Sequence, residues 1–180
     1  LRFLVEKVLQ MSMFDRKKSI VFKKKELDLN EMVENIASTF SLRVEHTGGK
    51  IFTEIEAVDS AIYVDELHFQ NAITNLMDNA VKYRKPEEPI NIFIRTWNDN
   101  DRLYLSIRDN GQGIKRENIK KVFEKFYRVH TGNKHDVKGF GLGLAYVKKV
   151  IDLHQGEIKC ESELGKGTKF TISLPVLHEQ

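Results

Sequence analysis

Residues 103–113 restrict the possible folds of this chain more than any other stretch. Leu103, Leu105 and Ile107 alternate with Tyr104, Ser106 and Arg108, the period-two pattern of a strand with one buried face. The strand runs without a break into Asp109-Asn110-Gly111-Gln112-Gly113. A lone carboxylate at the end of a buried strand is costly unless it meets a partner. An Asn-Gly turn explains Asn110 and Gly111, but neither the second glycine nor the apolar Ile114 after it. The loop therefore reads as one wall of a binding site, built on a sheet that the rest of the chain must complete.

The other segments supply that sheet and its cover. Leu1, Leu4, Val5, Val8, Leu9 and Met11 recur at three- and four-residue spacing, predicting an amphipathic helix whose seam belongs to a bundle outside this chain. Basic runs at 16–18 and 23–25 flank Ile20-Val21-Phe22 and predict a solvated linker with a short edge strand. Asp28 caps the next helix, with Glu31 as the acid of a capping box; Leu29, Met32, Val33, Ile36, Ala37 and Phe40 make its buried stripe. Thr47-Gly48-Gly49 breaks it, and residues 51–55 and 61–64 read as the two strands of a hairpin. Asp65 opens a long helix to about Tyr83, stopped by Pro86 and Pro89.

Strands over 90–97 and 103–108 meet at the turn 98–101. A short helix over 114–122, an irregular stretch over 123–138 and a helix over 144–154 follow; Gln155-Gly156 closes the last. Strands around Ile158 and over 168–174 flank the turn Gly165-Lys166-Gly167. The sum is an α/β (α+β) two-layer sandwich, a mixed and mostly antiparallel sheet covered on one face by helices.

Composition narrows the function. With 41% hydrophobic and 31% charged residues and a net charge of +3, the chain reads as a globular domain with no face built for nucleic acid. The single cysteine, Cys160, excludes an internal disulfide and reads as a packing residue in a strand. No apolar run is long enough to cross a bilayer and there is no signal peptide. Starting at Leu1 in mid-helix pattern, the chain reads as a piece of something longer. None of the six histidines has metal-ligand spacing to another ligand, and His130 and His135 read as surface residues.

Three constellations carry chemistry. On the long helix, Asn71, Asn75, Asn79 and Lys82 follow one another by four, four and three, so they share a face distinct from the core face of Phe69, Ile73, Leu76, Met77 and Ala80. The amide oxygens of Asn79 and Asn75 suit Mg²⁺, a hard cation that draws most of its charge compensation from phosphates, and Lys82 can meet a phosphate. A chance polar stripe on a solvated face stays open for the helix taken alone. Asp109 can accept the exocyclic amino group of adenine, while the oxo group of guanine would face it lone pair to lone pair. Gly139-Phe140-Gly141-Leu142-Gly143 precedes a helix whose free amides attract anions, though Leu144 departs from the dinucleotide-binding spacing. Gly165-Lys166-Gly167-Thr168 is not a P-loop, because Thr168 does not follow Lys166 directly.

With these motifs in order, residues from about 25 to 175 resemble the catalytic and ATP-binding domain of two-component sensor histidine kinases, of the Bergerat-fold superfamily. The carrying residues are Asn75 to Tyr83, Asp109 to Gly113, Phe123 to Arg128, Gly139 to Leu144 and Gly165 to Thr168. Residues 1–15 are similar to the end of a dimerisation and histidine-phosphotransfer helix, 16–25 to a linker and 26–180 to the catalytic domain. The resemblance implies the cofactors ATP and Mg²⁺. It implies that Asp109 binds the adenine amino group with Gly111, Gly113, Ile114 and Thr168 nearby, and that Tyr83 and Tyr127 flank the nucleotide. Asn79, assisted by Asn75, would hold Mg²⁺, with Lys82 and Arg128 on phosphates. Residues 129–138 would form a lid running into Lys138, Gly139, Gly141, Leu142, Gly143 and Leu144.

In the hydrolysing members of that superfamily a glutamate one turn before the metal asparagine activates water. Asn75 stands there in this chain and has no useful pKa for a general base. The resemblance thus implies transfer of the γ-phosphoryl group to a histidine upstream of Leu1 and relay to an aspartate of a response-regulator receiver domain. It further implies a dimeric parent, anchored in the bacterial membrane with this domain in the cytoplasm, and a monomeric piece. Two departures stand out: Phe140 replaces a small residue, and Gln155 replaces a glycine. An anti-sigma-type serine kinase of the same fold and a non-catalytic ATP-sensing module remain the alternatives.

Overall fold

The computed structural model describes residues 22–127 and 141–177. The expected N-terminal helix and the lid lie outside the described residues. A short strand β1 (Lys24–Asp28) leads directly into helix α1 (Leu29–Glu45), a junction fixed by Asp28. Its Oδ1 accepts from the Glu31 N–H at 3.1 Å and its Oδ2 from the Ser60 hydroxyl at 2.9 Å. A cap of this kind is worth about 1 kcal/mol. Leu29, Val33, Ile36, Ala37, Phe40 and Val44 are buried, one face of a helix repeating every three or four residues.

Strand β2 (Lys50–Ile55) and strand β3 (Ala61–Asp65) are not a hairpin, contrary to the expectation from sequence. β3 pairs antiparallel with β1 in a separate two-stranded ribbon. β2 instead pairs in parallel with strand β4 (Asn91–Asp99). The connection between β2 and β3 is held to the end of β4, which explains the divergence. Glu56 N–H donates to Thr96 O, and the Asn98 side chain both accepts from Asp59 N–H and donates to Asp59 O. Phe52 stacks on Phe93 at 4.8 Å between centroids, and Arg95 of β4 pairs with Glu54 of β2 and with Glu56 just past its end.

Helix α2 (Glu66–Lys82) is capped by Asp65, whose Oδ1 accepts from His68 N–H. β4 turns back antiparallel into strand β5 (Arg102–Asp109). The expected helix over 114–122 is a 3-10 helix, Arg116–Lys121. Helix α3 (Gly143–Leu153) and the strands β6 (Glu157–Glu163) and β7 (Gly167–Pro175) follow. The five-stranded sheet has the order β2-β4-β5-β7-β6 and is antiparallel apart from its first pair. Ile92, Ile94, Leu103, Leu105, Ile107, Phe170, Ile172 and Leu174 point from it into one core shared with the three helices. Among the described residues, no helix is long and apolar enough to cross a membrane.

Candidate nucleotide site

Asp109 ends β5 on the core-facing row of Leu103, Leu105 and Ile107, where β7 and α2 converge. Its Oδ1 accepts from Gly111 N–H at 2.8 Å and from Thr168 N–H at 3.2 Å. Among the described residues no hydrogen bond lands on Oδ2, which leaves that oxygen to a ligand. Burial pushes the carboxyl up to about 6, while the two backbone N–H bonds pull it back. The acid is therefore ionised at neutral pH, but at a cost that a donor on a ligand would relieve.

The glycines around it are required by protein packing. A β-carbon on Gly113, whose φ is +70°, would lie 2.0 Å from Glu163 O. One on Gly167, at φ +117°, would lie 1.9 Å from Asp109 O. The loop and the β6–β7 turn thus close on each other with no room for side chains between them. Gly165 N–H donates to Gln112 O, and Gln112 N–H in turn to Tyr83 O at the end of α2. Asn110, which sequence reasoning left as a turn residue, bridges Asn91 N–H and Pro89 O.

The asparagine stripe faces α3, and its members do different things. Asn71 hydrogen-bonds Tyr146, whose hydroxyl burial raises to about 12, against the lowering effect of that bond. The Asn75 amide nitrogen donates to Asn71 O at 2.8 Å. Its oxygen points toward Gly143, 3.2 Å from where a β-carbon there would sit. Asn79 lies one turn further along the same face, and Lys82 packs its ammonium over the Tyr83 ring at 5.0 Å. Gly141 and Leu142 lead into α3, whose first turn has no side-chain cap; Leu142 is buried and Leu144 packs against the core. Gly143 of that first turn lies beside Asn75, and the N–H groups of a helix start can take an anion.

The Tyr127 hydroxyl donates to Asn118 Oδ1 at 2.8 Å, which anchors the phenylalanine-rich segment to the 3-10 helix. Phe126, at φ +62° and 66% exposed, donates its N–H to Gly141 O. Arg128, Lys138 and Gly139 lie outside the described residues. Asp109, Gly111, Gly113, Ile114 and Thr168 form one cluster; Asn75, Gly143 and the start of α3 form another beside it. Among the described residues no group of three His, Cys, Asp or Glu could hold a metal ion. A cation between these clusters would take amide oxygens and the oxygens of a bound polyphosphate, a donor set that fits Mg²⁺.

Residues 64–178 match the family described as Histidine kinase-, DNA gyrase B-, and HSP90-like ATPase. The chain belongs to this family. Within it the chain is of the sensor-histidine-kinase type of catalytic domain, and the sheet and its helices are the Bergerat ATP-binding fold. It is 63% identical over 98% of its length to sensor protein RprX of Bacteroides fragilis, of which it spans 34%. Full-length ShkA in complex with AMPPNP superposes with a TM-score of 0.83 at 24% identity, over 98% of this chain and 36% of that one. The histidine kinase ThkA in complex with the response regulator TrrA gives 0.77 at 22%, over 98% and 48%. The chain thus spans about a third of the RprX sequence, and these structures speak to its fold.

One residue that sequence reasoning missed belongs to the site. Ser162 of β6 sits opposite Thr168 in the β6–β7 register and contacts both glycine-containing turns. The turn hid it: with Gly165-Lys166-Gly167 read as the whole turn, Leu164 would face Thr168, whereas β7 begins at Gly167 and sets Ser162 opposite Thr168.

Proposed function

We propose that this domain binds Mg·ATP between Asp109 and the N-terminus of α3 and presents the γ-phosphoryl group to a histidine upstream of this chain. An aspartate of a response-regulator receiver domain would then accept the phosphoryl group. The observation that carries the reading is the Asp109 carboxylate, pinned through Oδ1 by two backbone N–H groups with Oδ2 left to accept. An amino group such as that of adenine satisfies it, and an oxo group does not.

Mg²⁺ would neutralise charge on the polyphosphate and orient it, held by Asn79 with Asn75. Lys82 and Arg128 would add positive charge along the phosphates, and Tyr83 and Tyr127 would flank the nucleotide. Residues 129–138 would close over it. Asn75, an amide, cannot take a proton from water, so the site holds ATP for another nucleophile. The fold match to ThkA in complex with the response regulator TrrA favours a receiver-domain partner; the parent would be dimeric and anchored in the membrane, with this domain in the cytoplasm. No nucleic-acid partner is proposed.

Calorimetric titration with ATP, with and without Mg²⁺, tests the reading on the wild type, Asp109→Ala and Asn79→Ala. Micromolar binding, about −8 kcal/mol, should be lost in Asp109→Ala and lose its Mg²⁺ dependence in Asn79→Ala. Absence of ATP binding by the folded wild type would sink the proposal, and rapid ATP hydrolysis by this chain alone would sink its kinase half.

A further inference from the structure

We infer that Ser162 is a specificity-determining residue that acts through Thr168, forcing its hydroxyl to face the pocket beside Asp109 as an acceptor alone. The inference rests on the nucleotide-binding reading above and deepens it.

The argument is a count of hydrogens. A serine hydroxyl has one hydrogen to give and two lone pairs to receive. Ser162 Oγ has three partners: Ile114 N–H at 2.8 Å, Gly167 O at 2.7 Å and Thr168 Oγ1 at 2.9 Å. The Ile114 amide can only donate, so it occupies one lone pair. The Gly167 carbonyl can only accept, so it takes the single hydrogen. What remains on Ser162 is one lone pair, and the Thr168 hydroxyl must donate to it. The Thr168 hydrogen is thereby turned inward, and the oxygen shows only lone pairs in other directions.

The placement gives this consequence for a ligand. Ser162 pairs with Thr168 across β6–β7, and Arg108 with Lys169 across β5–β7. Asp109, Thr168 and Ser162 therefore run as one row across three strands, on the face that carries the core. Thr168 is only 8% exposed, and its own N–H already holds Asp109 Oδ1. The pocket wall at this end of the sheet is thus two adjacent acceptors, a carboxylate and a hydroxyl oxygen. It suits a 6-aminopurine, met directly or through a water that donates to Thr168. A 6-oxopurine reverses that edge, with an acceptor oxygen at C6 and a donor at N1; a freely rotating threonine hydroxyl could serve the oxygen but this one, like Asp109, meets it lone pair to lone pair.

The test compares ATP with inosine triphosphate, its 6-oxo counterpart, by calorimetry. It uses the wild type, Ser162→Ala, Ser162→Thr, Thr168→Val and the Ser162→Ala/Thr168→Val double variant. Ser162→Ala should shrink the preference for ATP over inosine triphosphate about tenfold, and Ser162→Thr should restore it. In the Thr168→Val background Ser162→Ala should leave the ratio unchanged, because its effect passes through the missing hydroxyl. Equal weakening of both nucleotides, or a ratio change that persists without the Thr168 hydroxyl, would overturn the inference and leave Ser162 a loop brace. If the wild type binds neither nucleotide, the nucleotide reading itself falls and takes this one with it.

A second readout needs no substitution. The Thr168 hydroxyl proton, held by Ser162, should exchange slowly with water and show a cross-peak to the Ser162 β-protons in NMR spectra. Fast exchange with no such cross-peak overturns the inference even if Ser162→Ala does not fold.

Discussion

His154 Nε2 accepts a hydrogen bond from the backbone N–H of Asp65 at 3.0 Å, joining the end of α3 to the start of α2. Its Nδ1 lies 2.7 Å from Val150 O, so the neutral ring donates at one nitrogen and accepts at the other. Protonation would set a second N–H against that of Asp65. Burial is the main cause that lowers its pKa below the ordinary 6.5; the Val150 carbonyl opposes it, Lys24 adds to the lowering, Asp65 opposes it and His68 adds to it. With the folded-state pKa depressed, its stabilisation is complete above pH 6.5 and lost as pH falls through the folded value. His154 should resist protonation in an NMR titration run downward from pH 6.5, and ring signals that shift at the ordinary 6.5 would contradict this. His154→Ala, which takes the acceptor from the Asp65 N–H and leaves a void where the buried ring sat, should cost about 2 kcal/mol or more in urea unfolding.

Asp109 has the opposite sign. Its folded-state pKa, about 6, exceeds the ordinary 3.8, so the free protein loses stability as pH rises through that window. Asp109→Asn keeps an oxygen for the N–H groups of Gly111 and Thr168 and removes the buried charge. The variant should be more stable than the wild type at pH 7 when ligand-free, by up to about 3 kcal/mol, yet bind ATP far more weakly. ATP affinity of the wild type should also fall as pH drops below about 6. A ligand-free melting comparison that shows Asp109→Asn destabilised would contradict this account.

Gly167 and Gly165 separate strain from collision. Both have positive φ, but a β-carbon on Gly165 meets nothing within 4 Å, whereas one on Gly167 meets Asp109 O at 1.9 Å. Gly165→Ala should cost about 1 kcal/mol for its backbone conformation alone. Gly167→Ala should cost about 3 kcal/mol or more, since the β5 and β7 backbones must part. Chemical denaturation of the two variants side by side measures the gap.

Gln155 holds φ +61° just past the end of α3, a position where glycine is unstrained. Gln155→Gly should therefore raise stability by about 0.5 kcal/mol, the relief of strain less the entropy of a freer unfolded chain. A lowered melting temperature would mean that the Gln155 side chain contributes something its backbone does not reveal.

Elements with a local cause were legible from the amino acids. The stripe from Leu29 to Phe40 and that from Phe69 to Ala80 follow helical periodicity, and Asp28 and Asp65 cap as their positions demand. The pairing of residues 51–55 was not legible. It is decided by Asn98 holding Asp59 and by Phe52 stacking on Phe93, partners some forty residues distant. Asp109 and Thr168 could be read from their motifs. Asn71, identical in type and spacing to Asn75, turned toward Tyr146, because the angle at which α3 crosses α2 is a tertiary outcome. Ser162 escaped notice because, between Glu161 and Glu163, nothing in the sequence marks it as the residue that continues the inward row of Ile158 and Cys160.

The order of the sheet also bears on how this protein is made. β7, the last of the described strands in chain order, does not add to an edge but inserts between β5 and β6. From the synthesis of Asp109 until Gly167–Pro175 emerges, the outer edge of β5 has no native partner, and its apolar row of Leu103, Leu105 and Ile107 lacks its neighbour. A nascent chain stalled in that interval would carry an open strand edge, a template for mispairing and a natural target for chaperones. Asp109 receives the Thr168 N–H only when β7 docks, so its carboxylate is set in place only after that late insertion.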